Sequence, residues 1–96
     1  MKTPTIEHPH PAGMGGVQRI YRYENGYGAS VIQFAYSYGG DEGKWELAVI
    51  KYQNKYSEEF RIAYDTPITG DVLGYLSEDE VDDILTQIEA LPEEQP

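Results

Sequence analysis

The stretch that decides the fold is SEDEVDDILTQIEALP, residues 77–92. Ser77 and Glu80 match the S-x-x-E capping box, in which each side chain accepts a hydrogen bond from the backbone N–H of the other residue. Apolar side chains then recur with the 3.6-residue period of one helix face, at Val81, Ile84, Leu85, Ile88 and Leu91. Pro92 ends the pattern. The sequence therefore predicts a capped amphipathic α-helix that begins at Ser77 or Glu78.

Upstream of this helix, short runs of β-branched and aromatic residues alternate with turn residues, which is typical of antiparallel strands. Asn25-Gly26 suits a tight hairpin because both residues tolerate positive φ. The glycine-rich residues 39–43 and the polar residues 53–55 mark two further turns. The runs between these turns predict strands over residues 17–24, 28–38, 45–52 and 57–65.

The predicted helix has to bury its apolar stripe, and a sheet face is the largest apolar surface on offer. We assign the larger alternating side chains to the face beneath the helix: Ile32, Phe34, Trp45, Leu47, Val49, Phe60 and Ile62. The second sheet face receives smaller ones, Val31, Ala35, Ala48, Ile50, Tyr52 and Ala63. We predict an α+β fold, a four-stranded antiparallel β-meander with one C-terminal amphipathic α-helix packed on one face.

The segments outside these elements complete the predicted organisation. Residues 1–16 contain three of the six prolines and predict a flexible Pro/Gly-rich N-terminal tail. Residues 17–92 form a single ββββα domain, and residues 93–96 form an acidic C-terminal tail. Within the domain, residues 68–76 predict an irregular connection with a short helical turn around 71–75.

Composition excludes several classes of function. Seventeen acidic residues against seven Lys and Arg give a formal net charge of −10. A chain of this sign is repelled by nucleic-acid phosphates and by anionic membranes, so we expect no direct binding to either. The chain has no cysteine, hence no disulfide and no thiol nucleophile. No run approaches the roughly 18 apolar residues of a membrane span.

Two short motifs were considered for chemistry. Residues 39–43 read GGDEG, which differs at its fifth position from the GGDEF signature of diguanylate cyclases, and the chain is too short for that fold. We interpret it as a glycine-rich turn. His8 and His10 lie in the proline-rich tail, which preorganises no metal site. The sequence predicts no catalytic, cofactor-binding or metal-binding residues, and we do not expect an enzyme.

The strongest physical feature is the acidic C-terminus, where residues 77–96 carry eight acidic residues and no basic one. Carboxylates near a helix N-terminus interact favourably with the helix dipole, and the remaining ones keep a protein soluble. These carboxylates also suit contact with a protein that has a basic surface, and the residues chosen for that contact are Asp79, Asp82, Asp83 and Glu89. The alternatives are a nucleic-acid-mimicking inhibitor of a DNA-binding protein, and a small-ligand-binding protein or enzyme with a pocket between residues 66–76 and the sheet.

Tyrosine is the second candidate feature, with nine in the chain and six in predicted strands. Tyrosine is enriched at protein interfaces because it offers a large, rigid contact area with a polar end. We therefore include Tyr52 and its neighbour Ile50, on the second sheet face, as partner-binding candidates. A homodimer through this second sheet face is the alternative use of the same residues.

Three stretches, NGYGASV at 25–31, YGGDEGKWELAV at 38–49 and YDTPITGDVLGYLSEDEVDDIL at 64–85, resemble small proteins encoded by tailed bacteriophages. The resemblance covers about residues 21–91. No activity is assigned to that group, so no site residues follow from it. It implies expression in the host bacterial cytoplasm and, by association, an accessory protein that binds and modulates a host protein.

Overall fold

The computed structural model describes residues 1–13 and 15–93. Within them, an antiparallel sheet of six strands carries one α-helix. The elements are β1 (Ile6–Pro9), β2 (Val17–Arg22), β3 (Tyr27–Gln33), β4 (Trp45–Tyr52), β5 (Phe60–Ile62), β6 (Leu73–Leu76) and α1 (Glu78–Glu89), with a 3-10 turn at Gly40–Glu42. The α+β class and the C-terminal helix are confirmed. None of the described helices has the length and hydropathy needed to cross a membrane.

Strands β1 to β5 are neighbours in chain order, so the meander is confirmed but the predicted number of four strands is wrong. β4 has the predicted bounds and is central: it pairs with β3 along one side. Its other side is shared by two short strands, β5 opposite residues 50–52 and β6 opposite Trp45 and Leu47. The two additional strands are β1 and β6.

β1 lies in the segment that composition predicts as a flexible tail. Ile6 pairs with Ile20 and Pro9 with Val17, so this strand extends the edge of the sheet. A proline is tolerated there because an edge strand does not need every N–H for the ladder. Ahead of β1, the Lys2 backbone N–H donates to the Asp82 carboxylate of α1 at 2.7 Å. The N-terminal segment is therefore part of the folded unit, which corrects the predicted boundary at residue 17.

β6 replaces the helical turn predicted around residues 71–75. Gly74 lowers strand propensity, so the local sequence does not indicate a strand, and pairing with β4 decides the conformation. The strand predicted over 28–38 ends at Gln33, and the one predicted over 57–65 is reduced to β5.

The core lies between α1 and the sheet face that it covers. Its buried side chains are Tyr21, Ala29, Val31, Leu47, Val49, Ala63 and Leu76 from the sheet and Val81, Leu85 and Ile88 from the helix. Leu47 and Val49 were assigned correctly. The assignment of Ile32, Phe34, Phe60 and Ile62 to this face was wrong, because Val31 and Ala63 occupy it in their place.

Both ends of α1 are held by side chains. At the N-terminus, the Ser77 N–H donates to the Glu80 carboxylate at 3.1 Å and the Glu80 N–H donates to the Ser77 hydroxyl at 3.2 Å, which confirms the capping box. At the C-terminus, the side-chain amide of Asn25 lies within 3.2 Å of the carbonyl oxygens of Ile88, Glu89 and Leu91. Of the predicted acidic tail 93–96, residues 94–96 lie outside the described residues.

Candidate functional site

Three tyrosines are exposed at the end of the sheet where β3 ends and β4 begins. The exposed fractions are 78% for Tyr36, 58% for Tyr38 and 56% for Tyr75. Tyr36 and Tyr38 lie in the loop between β3 and β4, and Tyr75 lies in β6, two residues before the helix cap. The end of the sheet therefore carries a concentration of solvent-facing aromatic side chains.

The loop that carries Tyr36 and Tyr38 is fixed by Ser37, which lies buried between them. Its hydroxyl accepts a hydrogen bond from the Phe34 N–H and donates one to the Phe34 carbonyl, each at 3.0 Å. A Cβ on Gly40 would lie 1.9 Å from that same carbonyl oxygen, so the close approach requires glycine. The two tyrosines consequently project from a defined turn, not from the strand that the sequence predicted.

Tyr75 reaches this end of the sheet through a β-bulge. Leu73 pairs with Leu47 and Leu76 with Trp45, so Gly74 and Tyr75 both face the single residue between those two partners. Tyr75 has φ of 57°, in the left-handed region that costs a non-glycine residue about 1–2 kcal/mol. Bulges of this kind redirect a side chain locally.

The bulge joins β6 to the loop. The Tyr75 N–H donates to the Tyr38 carbonyl at 3.1 Å. A Cβ on Gly74 would lie 2.5 Å from the Cβ of Tyr38, so the absence of a side chain at 74 permits this approach. Tyr38 and Tyr75 are therefore held in adjacent positions by backbone contacts, while both rings remain exposed.

The segments that carry these tyrosines are rich in carboxylates. Residues 34–46 and 75–80 contain one cation, Lys44, and six carboxylates: Asp41, Glu42, Glu46, Glu78, Asp79 and Glu80. The Tyr38 N–H donates to the Glu46 carboxylate at 3.0 Å. The hydrogen bond from the Ser77 N–H lowers the pKa of Glu80. This end of the molecule is strongly negative at neutral pH.

The acidic residues predicted to bind a partner differ in how accessible the structure leaves them. Asp79 and Asp83 are exposed on α1, and Asp79 follows Tyr75 by four residues in the chain. Glu89 is exposed at the opposite end of the helix. Asp82 is engaged inside the chain: it accepts from the Lys2 N–H, and its carboxylate lies 3.8 Å from the Met1 amino group. The structure thus leaves Asp79, Asp83 and Glu89 accessible and Asp82 partly covered.

The predicted contact residues on the second sheet face are buried. Ile50 has no exposed surface and Tyr52 is 7% exposed. The Arg22 guanidinium lies 3.9 Å from the centre of the Tyr52 ring, and Phe60 packs edge-on against that ring at 5.5 Å. Ile50 and Tyr52 therefore offer almost no exposed surface for direct contact with a partner. The exposed apolar side chains of this face are larger residues near its edges, Ile6, Phe60 and Ile62.

A broad depression in the surface lies away from the pocket predicted beside residues 66–76. It has a volume of about 1220 Å³, and its lining residues include Arg22, Asn25 and Lys55, between the β2–β3 turn and the loop after β4. Among residues 1–13 and 15–93, no group of three or more His, Asp or Glu side chains is placed to hold a metal ion.

Burial raises the pKa of Tyr23, next to this depression, to about 12, and the negative charge of Glu89 adds to the effect. An unfolded tyrosine ionises near pH 10. Between pH 10 and 12 the unfolded chain therefore loses a proton that the folded chain retains, and stability falls as pH rises through this window. Phenylalanine has no such proton to lose. Between pH 10 and 12 we therefore expect the unfolding free energy of Tyr23→Phe, measured with urea, to fall by about 1 kcal/mol less than that of the wild type.

Tyr56→Phe is the control for this pH experiment, because Tyr56 is 94% exposed. Its unfolding free energy should follow the wild-type curve at every pH. The interpretation of Tyr23 is wrong if both variants lose stability in parallel with the wild type above pH 10.

The chain has no match among known protein families, curated proteins or solved structures. Sequence reasoning gave a role in recognition to tyrosine but selected Tyr52, which is buried. A sequence pattern that could have indicated exposed tyrosines is the pair Tyr36 and Tyr38 directly before a glycine-rich turn. Tyr75 offered no comparable signal, because its position depends on a bulge formed with β4.

Proposed function

We propose that this protein is a small, non-enzymatic accessory protein, encoded by a bacteriophage, that binds and modulates a host protein with a basic surface in the bacterial cytoplasm. The phage context rests on the sequence resemblance. The contact surface that we propose is the tyrosine–carboxylate surface, defined as Tyr36, Tyr38, Tyr75, Asp41, Glu42 and Asp79.

The observation that carries the proposal is the coincidence of exposed, backbone-fixed tyrosines with unbalanced negative charge. A tyrosine whose backbone is already fixed has only its two side-chain torsions to lose when its ring is covered, so it contributes to binding at low entropic cost. The surrounding carboxylates attract Lys and Arg and repel acidic partners. Between described residues, the ion pairs are Arg19 with Glu7 and the Met1 amino group with Asp82, and neither belongs to this surface.

Mimicry of nucleic acid is less well supported than binding to a basic protein surface. The twelve residues of α1 span about 18 Å, over which duplex DNA presents about ten charges. Of the helix carboxylates, Asp82 is engaged by the N-terminal segment and Glu80 by the capping box. The remaining Glu78, Asp79, Asp83 and Glu89 give less than half the charge density of DNA.

The test uses two variants with the same change in net charge. The first combines Asp41→Asn, Glu42→Gln and Asp79→Asn within the proposed surface. The second combines Glu24→Gln, Glu58→Gln and Glu59→Gln, which are exposed residues elsewhere on the molecule. A partner captured in stoichiometric amount from a bacterial lysate is purified, and its affinity for each variant is measured by titration calorimetry.

We expect the surface variant to bind the partner about tenfold more weakly than the control variant. Binding by the wild type should also weaken steeply with salt, since the Debye length falls from about 30 Å at 0.01 M to about 8 Å at 0.15 M ionic strength. Equal loss of affinity in both variants, or binding insensitive to salt, would contradict the proposal.

A further inference from the structure

We infer that Tyr38 and Tyr75 form a recognition element for an arginine side chain of the partner, and that the β-bulge of β6 is the feature that assembles it. This inference rests on the proposed function and specifies the chemistry of the contact. It distinguishes arginine from lysine, which a purely acidic surface does not do.

The bulge by itself has a structural explanation, whereas the side chain of Tyr75 only borders Gly39, where an added Cβ would lie 3.1 Å from the Tyr75 Cδ1. After the bulge, Leu76 returns to the core, where it is 7% exposed, and Ser77 reaches the helix cap. Glycine or asparagine would adopt the left-handed conformation at position 75 at lower energetic cost than tyrosine. Burial does not offset the difference, because more than half of the Tyr75 side chain is exposed. A role in contacting something outside the chain accounts for an aromatic residue here.

Arginine is the cation that fits this arrangement best. A guanidinium is planar, stacks on aromatic rings and donates in a fork that matches carboxylates, whereas an ammonium is a strongly hydrated point charge. Glu46 accepts from the Tyr38 N–H, and Asp41 and Glu42 lie in the same loop as Tyr38, together with one cation, Lys44. We expect a guanidinium over Tyr38 or Tyr75 to use these carboxylates as its acceptors.

The chain itself uses this type of contact elsewhere. The Arg22 guanidinium lies over the ring of Tyr52 at 3.9 Å and donates to the carbonyls of Asn54 and Lys55 at 3.1 and 3.0 Å. Ring and acceptors together fix that arginine. The surface around Tyr38 and Tyr75 offers the same two components, an aromatic face and oxygen acceptors, without an arginine from within residues 34–46 or 75–80.

The test uses two short peptides as probes, one alternating Arg with Gly and one alternating Lys with Gly, of equal length and charge. Each carries a fluorophore, and binding is followed by anisotropy at low ionic strength. We expect the wild type to bind the arginine peptide about fivefold more tightly than the lysine peptide. Tyr38→Ala and Tyr75→Gly should each reduce this preference, and the double variant should abolish it.

Tyr75→Gly removes the ring while keeping a residue suited to positive φ, so its melting temperature should equal or exceed that of the wild type. Tyr56→Ala is the matched control, since it removes an exposed ring in the loop between β4 and β5. The control should retain the full preference for arginine.

The outcomes separate this inference from the proposed function. If both peptides bind with equal affinity, or if the arginine preference persists in the double variant, the inference is overturned while binding to a basic partner stands. If neither peptide binds at low ionic strength, attraction to basic partners fails, and the inference fails with it.

Discussion

Ile88→Asp is expected to unfold the domain. Ile88 is fully buried between α1 and the sheet, in contact with the same cluster as Leu47 and Leu85. An unpaired carboxylate in that environment costs several kcal/mol, and domains of this size have total stabilities of about 5–15 kcal/mol. Circular dichroism should show loss of the cooperative thermal transition. Ile84→Asp should have a smaller effect, because Ile84 is only partly buried.

Gln87→Asp is the matched control for this substitution. It introduces the same charge into the same helix, one residue earlier, at an exposed position. Its effect should remain within the roughly 0.5 kcal/mol typical of surface substitutions. If Ile88→Asp melts at the temperature of Gln87→Asp, the packing of α1 on the sheet is wrong.

Gly28→Ala should be the most destabilising single-methyl substitution that we can identify in the sheet. A Cβ at this position would lie 2.0 Å from the Tyr21 carbonyl oxygen, a backbone atom of the paired strand β2. Because a backbone atom cannot rotate away, the two strands have to separate, and we expect a loss of about 3 kcal/mol. The midpoint of urea unfolding measures this loss.

Gly70→Ala provides the comparison. The nearest atom to its added Cβ is the Tyr64 carbonyl oxygen at 3.6 Å, an ordinary contact. Its urea midpoint should equal or slightly exceed that of the wild type, since alanine lowers the entropy of the unfolded chain. Similar midpoints for the two variants would show that β2 and β3 do not approach each other as described.

The elements that sequence predicted correctly are those decided by local chemistry. The capping box, the 3.6-residue periodicity and Pro92 define α1, and alternation over residues 45–52 defines β4. β1 and β6 could not be predicted in this way. They are short, interrupted by Pro or Gly, and form strands because β2 and β4 offer unpaired edges, which is a non-local cause.

The assignment of faces failed for a different reason. Alternation divides a strand into two sets of side chains, but in β3 each set contains one large β-branched residue, Val31 or Ile32, so alternation does not say which set faces the helix. Side-chain size was used to decide, and it favoured Ile32. The helix instead covers Ala29 and Val31, because small residues allow it to approach the sheet closely, while Tyr21 and Leu47 fill the space at the sides.

The residue types of the proposed surface could be suggested from sequence, but their arrangement could not. Net charge suggested the acidic helix as a contact, and tyrosine content suggested a sheet face; neither indicated the end of the sheet. The burial of Tyr52 and the exposure of Tyr38 depend on where strands end. The exposure of Tyr38 follows from Ser37, because the hydrogen bonds of Ser37 to Phe34 end β3 five residues earlier than the alternating pattern suggests.

Asn25 gives the molecule one further property, which concerns the timing of folding. Its side-chain oxygen accepts from the Tyr27 N–H within the β2–β3 turn, while its amide group contacts three carbonyls at the end of α1. A turn formed early in the sequence is therefore completed by residues 88–91. During synthesis, this hairpin therefore lacks its contacts with the end of α1 until residues 88–91 have been made.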